Sequence, residues 1–247
     1  MSEPYSVLFP PDEPRPPLQR EPPPFFQDLL LDQVVEAITA GREEYDLKPF
    51  FHTPLRSSSS VVFRQEVLRD LEDASLLAEI LAFSASMRAV RADLSAAEKA
   101  TYVRQRERWV LDAVAHYCEA VSRLAQVLSQ ASLRSRGLLG FSDHLRAYTA
   151  SSAFRLLAEE AEGLRRRLAS LRYTVLLRGL RVEVRPYAGE PDYSEEITLT
   201  FQRFRQGDAK EYRFSFPDWP EMNHVEARIL DGVAELHADL FSRISRF

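Results

Sequence analysis

The side chains that most often carry catalysis or bind metal ions are few and poorly spaced in this sequence. No two histidines stand at the helical spacing that a shared metal ion requires, and the single cysteine, Cys118, cannot build a zinc site. His116 and Cys118 are two residues apart, so on a helix they point about 200° apart and cannot act together as base and nucleophile. We therefore expect no catalytic, metal-binding or cofactor-binding residue in this chain, and Cys118 to be a packing residue. The histidines are His52, His116, His144, His224 and His237.

Motifs that bind phosphate or transfer protons do not stand out either. The sequence has no GxxxxGK[ST] loop and no dinucleotide fingerprint after a strand. General acid–base catalysis needs carboxylates that converge in a cleft, whereas the acidic pairs here are adjacent in sequence. We expect each of them to lie on a solvated face. These pairs are Glu43/Glu44, Glu159/Glu160 and Glu195/Glu196.

The one cluster of side chains that could bind a ligand consists mainly of arginines. Residues 172–216 carry eight basic side chains, which could contact the phosphate backbone of nucleic acid, but they also carry seven acidic ones. Near-neutrality favours the alternative, in which arginines pair across strands with Glu183, Glu195 and Glu211. The candidate DNA-contact residues are Arg178, Arg181, Arg185, Arg203, Arg205, Lys210 and Arg213.

The pattern along the chain predicts a mainly α fold with a small antiparallel β-insert. Residues 1–24 hold more than half of the 15 prolines and form an extended arm, anchored by the apolar residues 7–9. Residues 25–172 are a helical core with a long helical hairpin, 173–217 a β-rich clamp-like insert, and 218–247 a returning helix.

Local signals predict where the helices begin and end. The first helix spans 25–40 and stops at Gly41, and the serines 57–60 cap the next. The capping box at 95–98 opens a helix to about residue 134, ended by Gly137 and Gly140. Ser142 then caps a helix to 171. Its predicted inward residues are Leu145, Tyr148, Ser152, Leu156, Leu164, Leu168 and Leu171.

Alternating apolar and polar residues predict strands at 174–187, 196–205 and 212–216, with a hairpin tip at 188–192. The last helix starts near Met222 and carries an apolar stripe that is still in phase at the final residue. We interpret this as a helix cut from a longer protein. The stripe is Val225, Ile229, Val233, Leu236, Leu240, Ile244 and Phe247.

The composition of the sequence indicates the cellular compartment in which we expect the protein. The start of the chain lacks the basic and apolar run of a signal peptide, and no apolar stretch approaches the roughly 20 residues that span a bilayer. One cysteine fits a reducing compartment. We expect a cytoplasmic protein without a membrane partner. The net charge of −5 argues against a chain-wide nucleic-acid footprint, although a local basic face stays open.

A short pattern within residues 53–73 resembles the core (lever) domain of MutS-type DNA mismatch-repair ATPases. There a Pro-Leu pair precedes an Arg-Gln pair that opens an apolar helix, and here eight residues separate Pro54-Leu55 from Arg64-Gln65. Residues 25–73 together look like the front end of a divergent subfamily that lacks the mismatch-reading domains. The layout of long helices around a β-rich clamp is similar as well.

This resemblance implies a mechanical role. The chain would be a non-catalytic lever and clamp that couples a downstream ATPase domain to duplex DNA, and ATP and Mg²⁺ would bind only to that further domain. No nucleotide-binding residue can be carried over, because the ATPase motifs are missing from the sequence. The alternative is a helical protein-interaction or dimerisation module, a possible homodimer, without direct DNA binding.

Overall fold

The structure is a computed structural model that describes residues 5–178, 181–187, 209–213 and 224–247. The described chain is mainly α-helical with a small antiparallel sheet, so the predicted fold class is confirmed at this level. The chain divides into two compact units. Unit 1 is Met1–Ala78 with Val127–Arg146, and unit 2 is Glu79–Gln126 with Ala147–Phe247.

The elements are numbered in chain order. Their bounds are α1 (Phe25–Asp28), α2 (Leu31–Thr39), a 3₁₀ turn (Glu43–Tyr45), α3 (Lys48–His52), α4 (Ser58–Asp70), α5 (Ala74–Lys99), α6 (Val103–Gln130), α7 (Arg136–Ala150), α8 (Ser152–Ser170), β1 (Arg172–Arg178), β2 (Arg181–Pro186), β3 (Ala209–Arg213), α9 (His224–Leu236) and α10 (Ala238–Ile244). The division into four consecutive segments was predicted from local residue patterns, which carry no information on tertiary contacts. That division stays a prediction.

The predicted first helix is two helices in the structure. Leu30 adopts a left-handed backbone conformation with φ 55°, which a leucine rarely occupies, and this separates α1 from α2. Gly41, at φ 72°, follows the end of α2, so the predicted stop is confirmed. The break matters because it resets which leucines of the run 29–31 face solvent.

The start of α4 confirms the cap predicted from the serine run. The Ser57 hydroxyl accepts the backbone N–H of Ser60 at 3.0 Å. Glu13 of the proline-rich arm accepts hydrogen bonds from the hydroxyls of Ser57 and Ser60 at 2.8 and 2.6 Å. Phe9 is buried, as expected of the apolar anchor. The arm is therefore tied to the N-terminal end of α4.

The capping box predicted at 95–98 was wrong. α5 runs without interruption to Lys99, so Ser95 and Glu98 lie inside it, and the next helix begins only at Val103. The cap at the start of α5 is Asp73, whose carboxylate accepts the N–H groups of Ser75 and Leu76 at 2.8 and 3.2 Å. A Ser-x-x-Glu pattern among alanines continues a helix as readily as it starts one, since alanine has the highest helix propensity.

The helix predicted from Ser142 was also misplaced. α7 begins at Arg136, with the buried Ser135 hydroxyl accepting the N–H of Leu138 at 3.2 Å, so Gly137 and Gly140 lie inside a helix rather than ending one. A second cap, Ser151, starts α8 by accepting the N–H of Phe154 at 3.2 Å.

This break shifts the buried stripe of the long segment. Leu164 and Leu168 are buried as predicted, but Tyr148 and Leu156 are 38% and 65% exposed, and Phe154 is buried instead. The prediction for Tyr148 and Leu156 was wrong because a stripe extrapolated across a helix break keeps the wrong phase. Ser152, also predicted to face inward, is exposed.

Asp70, at the end of α4, fixes the approach to α7. Its Oδ2 accepts the backbone N–H groups of Arg134 and Ser135 at 3.0 and 2.8 Å. Burial acts to raise the pKa of Asp70, but the hydrogen bonds from Ser135 and Arg134 prevail and hold the pKa below its usual value. The carboxylate therefore stabilises unit 1 above the unfolded-state pKa of about 3.9, and this contribution is lost as pH falls through the lower folded-state pKa.

We expect Asp70→Asn to lower the free energy of unfolding at neutral pH by roughly 1–3 kcal/mol, since an amide replaces a charged acceptor of two N–H groups. Acid should then destabilise the variant less steeply than the parent. Urea denaturation at neutral pH and at a series of acid pH values measures both effects. The matched control is Asp143→Asn, whose carboxylate pairs with Arg146 on an exposed surface. Equal losses in the two variants would contradict the role of Asp70.

The stretch 174–187, predicted as one strand, is an antiparallel hairpin. Strand β1 pairs with β2 on one side and with β3 on the other, and Arg178 is the register partner of Arg181. Gly179 falls between the two strands in the sequence, and glycine favours tight turns. The predicted third strand, 212–216, begins earlier, as β3. The predicted strand 196–205 and the hairpin tip 188–192 lie outside the described residues.

Unit 2 has a continuous apolar core where α6, α8, α9 and α10 meet β1. Val233 and Leu240 from the predicted C-terminal stripe are 0% and 1% exposed, although His237 divides the predicted helix into α9 and α10. Gly232 allows α9 to approach β2, since a Cβ there would lie 2.6 Å from Val184 Cγ2. The core includes Leu111, Ala161, Leu164, Leu168, Val175, Val225, Ile229, Leu230, Phe241 and Ile244.

Candidate interaction surface

The basic residues proposed for DNA contact lie partly on the sheet. The Arg185 side chain is paired with Glu183 at 2.8 Å. Arg185 and Glu211 are both register partners of Thr174, on opposite sides of β1. Acidic and basic residues therefore share the rows of this sheet. Arg178, Arg181, Lys210 and Arg213 occupy strand positions in the described backbone, while Arg203 and Arg205 lie outside the described residues. Their contact with DNA stays a prediction.

Of the four residues of the family-like pattern, Arg64 makes contacts that organise unit 1. Arg64 Nε donates to the Leu8 carbonyl at 2.9 Å, and its guanidinium lies over the Phe9 ring, 4.9 Å from the centroid. Burial lowers the pKa of Arg64. Of the other three, Leu55 is half-buried and Pro54 and Gln65 are exposed. Arg64 thus holds the N-terminal arm against α4.

Two of the histidines make polar contacts within the fold, and the cysteine is buried. His116 Nδ1 lies 2.9 Å from Asp93 Oδ2, and His52 Nδ1 lies 2.8 Å from the Arg20 carbonyl oxygen. Cys118 is buried, and burial raises the pKa of its thiol, which disfavours the reactive thiolate. Within the described residues, no three His, Cys, Asp or Glu side chains gather to hold a metal ion.

An exposed apolar surface lies at the break between α1 and α2 and along α2. Leu29 is 63% exposed and Leu30 58%, while Val34 and Ile38 are 51% and 45% exposed. Val34 and Ile38 are four residues apart on α2 and so share one side of it, while Leu29 and Leu30 lie in the break that precedes α2. Fully burying a leucine, isoleucine or valine side chain is worth about 1.5–3 kcal/mol, so these side chains leave a large apolar contribution unused. We call these four residues the α2 apolar surface.

A different side of these helices is packed within unit 1. Phe26 of α1 and Val35 of α2 are buried, and the Thr39 hydroxyl donates to the Val35 carbonyl at 2.8 Å. The Phe26 ring meets the buried His52 ring edge-on, with centroids 5.3 Å apart. Lys48 of α3 forms an ion pair with Glu36 of α2. The α2 apolar surface thus lies on a segment that is packed within unit 1.

Sequence reasoning predicted the helix at 25–40 but assigned it no exposed face. The available signal was the run of three leucines at 29–31, because consecutive residues of a helix point 100° apart and cannot all face one core. Which of them stay outside depends on the left-handed conformation of Leu30. That backbone conformation cannot be read from the sequence, because leucine rarely adopts it.

The chain matches no protein-family model, no curated protein and no solved structure. Within the described ranges, no helix combines the length and apolar character needed to cross a membrane.

Proposed function

We propose that this chain is a non-enzymatic protein-interaction module that binds a partner protein through the α2 apolar surface. The observation that carries the proposal is the exposure of Val34 and Ile38, four residues apart on α2, together with that of Leu29 and Leu30 in the break before it. Clustered apolar side chains on a soluble protein commonly mark binding sites, whereas isolated ones do not. Regularly spaced anchors along a helix are the usual means by which one helix packs against another.

Two further observations support protein rather than nucleic acid as the partner. The Arg185 guanidinium is already paired with Glu183, so it offers a phosphate less attraction than a free arginine would. Within residues 172–216 the eight basic side chains are nearly balanced by seven acidic ones. The lever-and-clamp role that a resemblance to MutS-type proteins implies remains a competing prediction.

We expect the double variant Val34→Gln/Ile38→Gln to lose its partner protein while keeping its fold. Glutamine is a good helix former, and the exposed positions tolerate it, so the change removes apolar contact area without removing the helix. The measurement is quantitative co-purification of tagged parent and variant chains from the native cell, with circular dichroism to check folding. The matched control is Leu156→Gln in α8, a residue that is 65% exposed in unit 2.

A protein retained by the parent and by the Leu156→Gln control, but lost by the double variant, is the expected result. Identical sets of co-purified proteins from all three chains would refute binding through this surface. The competing prediction is tested with a labelled DNA duplex. Affinity that falls steeply with salt and is weakened by Arg185→Ala, with no effect of Val34→Gln/Ile38→Gln, would favour the lever-and-clamp role instead.

A further inference from the structure

The N-terminal arm contains a short stretch, residues 14–19, whose backbone is extended for a physical reason. Three of these six residues are prolines, which hold φ at about −65° and keep the residue before them out of the helical region. In the structure these residues, all of them described, form neither a helix nor a strand. They therefore have the character of polyproline II, an extended left-handed helix with about three residues per turn. We call them the proline stretch.

Both ends of the proline stretch are tied to unit 1. Just before it, Glu13 accepts hydrogen bonds from the hydroxyls of Ser57 and Ser60 at 2.8 and 2.6 Å. At its other end, the Gln19 N–H donates to the hydroxyl oxygen of Thr53 at 2.8 Å, and Thr53 is 4% exposed. The fold therefore holds the stretch in one place, and a partner that binds it does not have to order it first.

Burial along the stretch follows the period of this backbone. Residues three apart share an edge of a polyproline II helix. The edge that contains Pro16 also contains the anchored residues Glu13 and Gln19, and Pro16 is half-buried. One edge therefore packs on unit 1, while the other two edges face outward. The exposed residues are Pro14 and Pro17 on one edge and Arg15 and Leu18 on the other.

We infer that the proline stretch is a second interaction site, which binds a partner domain with an aromatic-lined groove. This inference goes beyond the proposed function, because it concerns a different surface. Proline has no N–H group, so the stretch offers a partner apolar rings and carbonyl acceptors. The matching groove has aromatic rings that receive Pro14 and Pro17, and tryptophan N–H or tyrosine O–H groups that donate to the carbonyls.

The same chemistry argues against other ways of recognising a backbone. Addition to a sheet edge needs N–H donors along the segment, and Pro14, Pro16 and Pro17 have none. Binding as a helix needs a helical backbone, which consecutive prolines prevent in a helix interior. Of the modes that depend on backbone conformation, recognition as polyproline II is the one that remains.

The test measures binding of the full chain to two labelled probes, an isolated SH3 domain and an isolated WW domain, by fluorescence anisotropy. Both probes have aromatic-lined grooves for polyproline II ligands. At least one probe should bind, and Pro14→Ala/Pro17→Ala should weaken that binding at least about tenfold, because both ring contacts of the exposed edge are lost. The matched control, Pro22→Ala/Pro24→Ala, changes two exposed prolines that follow the stretch and should leave the affinity unchanged.

Further variants test whether the anchored backbone presents the ligand. Thr53→Val removes the oxygen that accepts the Gln19 N–H, and the buried position 53 is out of reach of a probe. Binding should weaken about threefold, because the probe must now order the end of the stretch. Glu13→Ala, which frees the other end, should have a similar effect. Circular dichroism checks that the variants are folded, and unchanged affinity in both would overturn presentation by the fold.

The contrary outcomes are distinguishable from failure of the proposed function. Binding of neither probe, or equal binding by the parent and by Pro14→Ala/Pro17→Ala, would refute the inference. A loss of binding in Pro22→Ala/Pro24→Ala alone would place the site outside the proline stretch and would refute it as well. Val34→Gln/Ile38→Gln, which tests the α2 apolar surface, should bind the probes as the parent does. The co-purification result therefore decides the proposed function separately.

Discussion

Leu164→Ala is expected to lower the free energy of unfolding by about 2–5 kcal/mol, the range for removing a fully buried leucine side chain. Leu164 lies in α8 at 1% exposure, within the core that α6, α9, α10 and β1 also line. The loss has two sources, the apolar surface that is no longer buried and the cavity that a rigid helix packing cannot close. Urea denaturation followed by circular dichroism measures it as a shift of the midpoint with an unchanged slope.

Leu156→Ala is the matched control for that experiment, because it makes the same chemical change in the same helix. Leu156 is 65% exposed, so its truncation should change the free energy of unfolding by less than about 0.5 kcal/mol. The sequence pattern alone predicted that both leucines face inward. Comparable losses in the two variants would therefore mean that α8 has the phase of the sequence prediction and not that of the structure.

The second large effect is expected at Gly137, where α7 approaches α4. A Cβ at Gly137 would lie 2.5 Å from Val67 Cγ2 and 3.2 Å from the Phe63 ring, and both neighbours are buried. Gly137→Ala should therefore destabilise the protein by roughly 1–3 kcal/mol, the usual cost of forcing a packed core apart. That cost outweighs the gain of about 1 kcal/mol that alanine brings to a helix interior.

Gly163→Ala makes the same chemical change but should have the opposite effect on the free energy of unfolding. Gly163 lies within α8, and a Cβ there meets no atom within 4 Å. The variant should be stabilised by about 0.5–1 kcal/mol, through helix propensity alone. Thermal unfolding of the two glycine variants and of the parent protein measures both changes in stability. Stabilisation by both substitutions would show that α7 and α4 are not in close contact at Gly137.

Local signals in the sequence predicted those features that local physics decides. Ser57 caps α4 because a serine hydroxyl can accept a first-turn N–H wherever the chain then turns into a helix. The stripe containing Val233 and Leu240 is buried because its spacing places the apolar groups along one side. A break at His237 did not change that outcome, since the residues after it still face the same core.

The predictions of helix ends that were wrong share a different cause. Ser95 and Glu98 have the pattern of a cap yet lie inside α5, and Gly137 has the character of a helix stop yet lies inside α7. Such residues permit a break without requiring one, and packing decides between the two. Position 137 of α7 is occupied by glycine because the side chains of Phe63 and Val67 fill the space that a larger residue would need.

The candidate site likewise combines features that the sequence determines with features that only packing decides. The sequence by itself determined a helical chain and a leucine run at 29–31 that one core cannot bury completely. Only the tertiary structure decided that Leu29, Leu30, Val34 and Ile38 face outward, while Phe26 and Val35 are buried. The physical reason is that helix periodicity fixes which residues share a face, whereas the choice of the buried face depends on distant segments. Here those segments include α3, which contributes His52 and Lys48, and the left-handed Leu30 sets the phase in which α2 meets them.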